Sequence, residues 1–160
     1  MIGSCRSVSL GLAGLCCAVL LAIAPIQSAM AGKPAINTIG SPGFAIQGYD
    51  PVAYFEQGIP RRGKRQFTYV HEDVRWRFAT IDNMTKFKAN PKRYIPAYGG
   101  YCAYGVAQGY LVKIEPTAWS VRDDKLYLIY DRGVQQMWEK RPDSYIERAN
   151  KKWPKLIANR

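Results

Sequence analysis

The chain is short of the residues on which common enzymatic chemistries depend. Histidine occurs once in 160 residues, as His71. A Ser-His-Asp hydrolase or a Cys-His nucleophile would have to use that one imidazole, and His71 stands beside Glu72-Asp73, a pair with the character of a solvated turn. Cysteine occurs four times, but Cys5, Cys16 and Cys17 crowd the N-terminal end and only Cys102 lies in the body of the chain. A zinc centre takes four ligands, so one cysteine and one histidine fall short unless carboxylates or water contribute. There is no phosphate-binding glycine loop, serine elbow or dinucleotide fingerprint, which argues against hydrolases and nucleotide enzymes. Acidic residues are few, 12 against 23 basic ones, for a net charge of +11. That excess suits weak attraction to anionic surfaces or partners. It carries no nucleic-acid signature, because the basic residues are spread over 61–65, 86–93 and 151–155 without one concentrated helix face or reader motif.

The N-terminal end reads as a targeting segment. Arg6 supplies a positive start, residues 10–26 form an apolar run, and Ala29-Met30-Ala31 is a small-x-small cleavage site. Residues 1–31 are expected to be a cleaved signal peptide, so that the mature chain begins at Gly32 in the periplasm or the medium. Pro25 and Gln27 interrupt the apolar run and favour its removal over retention as a transmembrane segment. Leu15 precedes Cys16 and more apolar sequence follows Cys17, which is the wrong setting for a lipid-acceptor cysteine. Cleavage takes three cysteines away and leaves Cys102 without a partner in its own chain. An unpaired thiol in an oxidising compartment is buried and inert, or bound to a metal, or redox-active.

Residues 32–43, rich in glycine, proline and small polar side chains, are expected to be a flexible tether. Residues 44–160 suffice for a single domain. A short strand is expected at 44–47, then a helix at 52–57 capped by Asp50 with Pro51 at its first position. A hairpin follows, with strands 66–71 and 74–80. Val74, Trp76 and Phe78 alternate there with Arg75, Arg77 and Ala79, which puts the apolar set on one face. Asp82 is expected to cap a helix to Lys88 that ends at Asn90-Pro91. A second hairpin is expected at 118–122 and 126–130, joined at Asp123-Asp124-Lys125. Two further helices then follow, with apolar stripes at Val134, Met137 and Trp138 and at Tyr145, Ile146, Ala149 and Trp153. The fold class is α+β, a small antiparallel sheet of two hairpins with helices on one side. Its core is expected to hold Trp76, Phe78, Trp119, Leu126, Leu128, Trp138 and Ile146.

The stretch Tyr98 to Gly105, YGGYCAYG, concentrates the candidate chemistry. A helix over 100–108 would put Cys102 in its first turn, where unpaired N–H groups and the dipole lower a thiol pKa. Gly99 and Gly100 let amides approach, and the hydroxyls of Tyr98, Tyr101 and Tyr104 can donate to a thiolate. These five residues are the expected lining of a ligand or cofactor site beside Cys102, with His71 as a further metal ligand.

The segments GYDPVAYF (48–55), WRFAT (76–80), FKANPKRYIPAYGGYCAYGVAQG (87–109), AWSV (118–121) and KLYLIY (125–130) resemble the exported YHS-domain family over nearly all of the expected mature chain. The resemblance implies a small periplasmic or secreted domain related to modules of metal-handling proteins. Some members carry selenocysteine where this chain has Cys102. The paired cysteines of metal-binding YHS domains are not present here. Three readings stay open. One is binding of a soft metal ion such as copper(I) through Cys102, supplemented by His71, Met84 or Met137. Another is a thiol redox enzyme or sensor in which Cys102 exchanges with a small thiol or an oxidant. The last is a structural or interaction domain with a silent, buried cysteine.

Overall fold

The computed structural model describes residue 3 and residues 35–158. The expected signal peptide, its cleavage site and the start of the tether lie outside the described residues. The elements run α1 (Pro51–Glu56), β1 (Lys64–His71), β2 (Val74–Phe78), α2 (Ile81–Ala89), α3 (Pro91–Tyr94), α4 (Ala103–Gln108), β3 (Glu115–Arg122), β4 (Lys125–Ile129), α5 (Arg132–Lys140) and α6 (Pro142–Ala158), with 3-10 turns at Ala45–Gly48 and Ala97–Gly100.

The fold is α+β, and both expected hairpins are present. They do not join into one sheet. β1 pairs with β2 and β3 with β4 as separate antiparallel ribbons, with Tyr69 opposite Trp76 in one and Trp119 opposite Leu128 in the other. A bare two-stranded ribbon is barely stable in water, so each leans on helices: α2 covers β1 and β2, while α4 and α5 cover β4, and α4 packs on α6. In β2 the alternation is as expected, with Val74, Trp76 and Phe78 buried and Arg75 exposed. Phe87 of α2 fills the space above that face, its ring 4.9 Å from Trp76 and 5.2 Å from Phe78. In the other half Trp138 of α5 packs on Tyr127 and Tyr145 at 5.5 and 5.8 Å. Trp119 and Ile146 of the expected core are only partly buried.

Several local expectations change. Residues 44–47 are not a strand. Ile46 and Gln47 take positive φ in a 3-10 turn, held where Phe44 lies between the guanidinium groups of Arg75 and Arg77 at 4.1 and 4.0 Å and Gln47 Nε2 donates to the Ile114 carbonyl at 2.7 Å. The described part of the expected tether is docked. Ile36 and Asn37 are buried, the Asn37 backbone N–H donates to the Gly99 carbonyl at 2.8 Å and its Nδ2 to the Gly100 carbonyl at 3.0 Å. One isoleucine and a doubly used asparagine outweigh the disorder-prone composition around them. The cap of α2 is Thr80, whose Oγ1 accepts from the Asn83 N–H at 3.1 Å, and Asp82 falls inside the first turn. Pro91 opens α3 rather than only ending the helix before it. Met137 is 42% exposed, so the α5 stripe buries Trp138 without it.

One buried acid ties the first half together. Asp50 is 0% exposed. Its Oδ1 accepts from the N–H groups of Val52 and Ala53 at 2.9 and 3.3 Å, which is the expected helix cap. Its Oδ2 accepts from the Ala79 N–H and from Asn83 Nδ2, both at 2.7 Å. A carboxylate out of water is tolerated only when its lone pairs are filled, and here four donors fill them. Asp50 thereby fastens α1 to the end of β2 and to α2.

Candidate functional site

The segment 98–105 divides its side chains between two environments. Gly99 is at φ +59, and a Cβ there would collide with the Ala35 carbonyl oxygen, so only glycine lets residues 35–37 dock. The 3-10 turn Ala97–Gly100 precedes Cys102, and α4 begins only at Ala103. Cys102 is therefore the N-cap of α4 and not a residue of its first turn. Its side chain faces the free amides of the helix start, and Sγ accepts from the Gly105 N–H at 3.3 Å. The backbone amides of Tyr130 and Tyr104 also favour the thiolate.

Those amides do not produce the low-pKa thiol that the sequence suggested. Cys102 is 1% exposed, and burial pushes its pKa up, against the lowering effect of the three amides. Of the three phenol hydroxyls, that of Tyr98 is engaged on α6. The Tyr98 hydroxyl lies 2.9 Å from Asn150 Oδ1 and 3.4 Å from the Ile146 carbonyl on α6. Tyr104 packs its ring 5.0 Å from that of Tyr145, and Tyr101 is buried with its ring 6.3 Å from Trp153. The carbonyls of Gly99 and Gly100 are engaged by Asn37.

His71 is at the end of β1, stacked on Tyr69 at 6.4 Å, edge-on to Phe87 at 5.8 Å and 3.7 Å from Glu72. It belongs to the first ribbon, whereas Cys102 borders Tyr130 at the end of the second. Among the described residues no three His, Cys, Asp or Glu side chains converge in a way that could hold a metal ion.

What the segment does open onto is a cleft of about 220 Å3 between α3, β4 and α6. Tyr98 forms one wall, with Ile95 beside it, Tyr127 from β4 and Trp153 from α6. The Tyr98 ring sits 5.8 Å from Trp153, edge to face, and 6.0 Å from Tyr127. Lys92, Lys125 and Asn150 complete the lining. Of these residues the sequence marked only Tyr98 as a site residue. Trp153 looked like part of a helix stripe, and nothing in their spacing joins Lys92, Lys125 and Asn150, which three separate elements bring together. No family model matches the chain, and no curated protein and no solved structure matches it.

Proposed function

We propose that the protein is an exported, YHS-like interaction domain that binds a small ligand in the cleft beside Tyr98, with Cys102 as a structural thiol. The observation that carries this reading is the split within one segment: Tyr98, itself 7% exposed, borders a cleft, while Cys102, 1% exposed, caps a helix in the core and borders none of that cleft. Small-molecule sites are concave, largely apolar and furnished with a few polar groups. The cleft is concave and combines aromatic walls with three polar side chains, its lining about equally polar and apolar. Export rests on the sequence of residues 1–31, and kinship with YHS domains on the segments quoted above.

A thiol-centred function, whether soft-metal capture or redox exchange, has one observation on its side. The Gly105 N–H donates to Sγ, and the backbone amides of Tyr104 and Tyr130 also favour the thiolate, a setting that would hold a sulfur anion. It requires a metal or reagent to reach Sγ in the native fold. The cleft reading is tested by titrating the labelled protein with a library of small aromatic and aliphatic fragments while following backbone amide shifts. Shifts clustered at residues 95–98, 125–127 and 150–153 are expected. Fragments that perturb only other regions, or none that perturb any, would defeat it.

A further inference from the structure

Resting on that reading, we infer that the cleft selects a small planar organic anion, of the aryl carboxylate class. The electrostatics are one-sided. Lys92 and Lys125 both line the cleft, no acidic residue lines it, and neither ammonium has an ion-pair or hydrogen-bond partner among the described residues. Of the acids outside the lining, Asp124 is 3.7 Å from Arg93 and Asp143 is 3.0 Å from Arg122, while Asp123 and Asp143 also act on Tyr127. Asn150 Oδ1 is engaged by the Tyr98 hydroxyl, which leaves its Nδ2 as a third donor. Two unneutralised cations and an amide donor suit a carboxylate, which can accept from several donors at once.

The walls specify the rest of the molecule. Trp153 offers the accessible ring surface, fixed by packing on Tyr98 and backed by Tyr98 and Tyr127, which are only 7% and 3% exposed, and a planar ligand can lie against it at little entropic cost. The Tyr98 wall is itself pinned through its hydroxyl to α6. Size sets the scale: a cavity of about 150 Å3 admits benzene, so 220 Å3 accommodates one ring with its acid group.

Benzoate is the test probe, with benzamide as its neutral isostere and inorganic phosphate as an anion without a ring. Calorimetry and amide shifts on the protein are expected to show benzoate binding at the cleft at least about tenfold tighter than benzamide or phosphate, and weakening with added salt. Lys92→Gln and Lys125→Gln, both at exposed positions, should each reduce benzoate affinity roughly two- to fivefold and leave benzamide unaffected. Trp153→Leu should weaken both aryl ligands. Equal binding of benzamide and benzoate in the cleft would overturn the anion claim while sparing the cleft as a site. Phosphate binding as tight as benzoate would overturn the planar claim. Failure of all three probes to shift any cleft residue would overturn the inference, and a negative fragment library would then take the cleft reading with it.

Discussion

Removing the Asp50 carboxylate should be among the most damaging single changes in the chain. Asp50→Ala deletes the cap of α1, worth about 1 kcal/mol. It also strands the Ala79 N–H and the Asn83 side-chain amide, each now without the acceptor 2.7 Å away, at roughly 1–3 kcal/mol apiece for a buried group left unsatisfied. Relief from burying a carboxylate offsets part of this, so the net loss should be on the order of 3–5 kcal/mol. Asp50→Asn keeps an Oδ1 acceptor for the N–H groups of Val52 and Ala53 but sets an NH2 against two donors. It should cost less, about 2–3 kcal/mol. Denaturant unfolding followed by tryptophan fluorescence measures both, provided the transition is two-state. A double-mutant cycle between Asp50 and Asn83 should return a coupling of about 1–3 kcal/mol. An Asp50→Ala variant that loses under about 1 kcal/mol would show that the four donors find other partners, and would refute the role of Asp50 as a hub.

Three further outcomes follow from the packing. Trp138→Ala, at a fully buried ring stacked between Tyr127 and Tyr145, should cost about 3–5 kcal/mol by the same unfolding assay. Gly99→Ala should release residues 35–37 from the Gly99 and Gly100 carbonyls, seen as faster hydrogen exchange at the Asn37 amide; unchanged exchange would refute the docking. At Cys102 the order of two variants is diagnostic. Serine can still accept from the Gly105 N–H and should be tolerated better than alanine, which strands the amides at roughly 1–3 kcal/mol, whereas a thiol serving only as an apolar filler would reverse that order. Because burial raises the Cys102 pKa in the fold, the unfolded chain ionises first as pH rises. Its contribution to stability is complete below the ordinary thiol pKa and is lost above about pH 9. Cys102→Ala should abolish that portion, leaving the steeper alkaline loss from Tyr54, Tyr98 and Tyr127, whose pKa values burial also raises.

Much of the fold was legible wherever one local signal dominated. The alternation Val74-Trp76-Phe78 and the Asp50-Pro51 helix start both depend on neighbours within a few residues. What failed depended on distant partners. The strand expected at 44–47 shrinks to one extended residue, Phe44, bridged to Arg75 of β2, because residues 45–47 turn away. Asn37 looked like tether because its acceptors lie at residues 99 and 100. The candidate site was half legible for the same reason. In YGGYCAYG, Gly99 and Gly100 take the positive φ that glycine permits. Which way its side chains divide is set by the docking of residues 35–37 on one side and of α6 on the other. A lone cysteine after two glycines suggested an activated thiol, and the amides are indeed there. Desolvation outweighs them, and burial is a tertiary quantity that no spacing of residues encodes.

The division between a cleft-facing tyrosine and an enclosed thiol is tested most directly by the alkylation of Cys102. Reaction with a small iodoacetamide reagent is followed in the native protein as a function of pH and of denaturant. With Cys102 1% exposed and its pKa raised, modification of the native protein should be slow, should gain little between neutral pH and the ordinary thiol range, and should accelerate in step with unfolding. Prompt modification of the metal-free native protein at neutral pH, at a rate indifferent to global stability, would contradict the account and return Cys102 to the centre of the function.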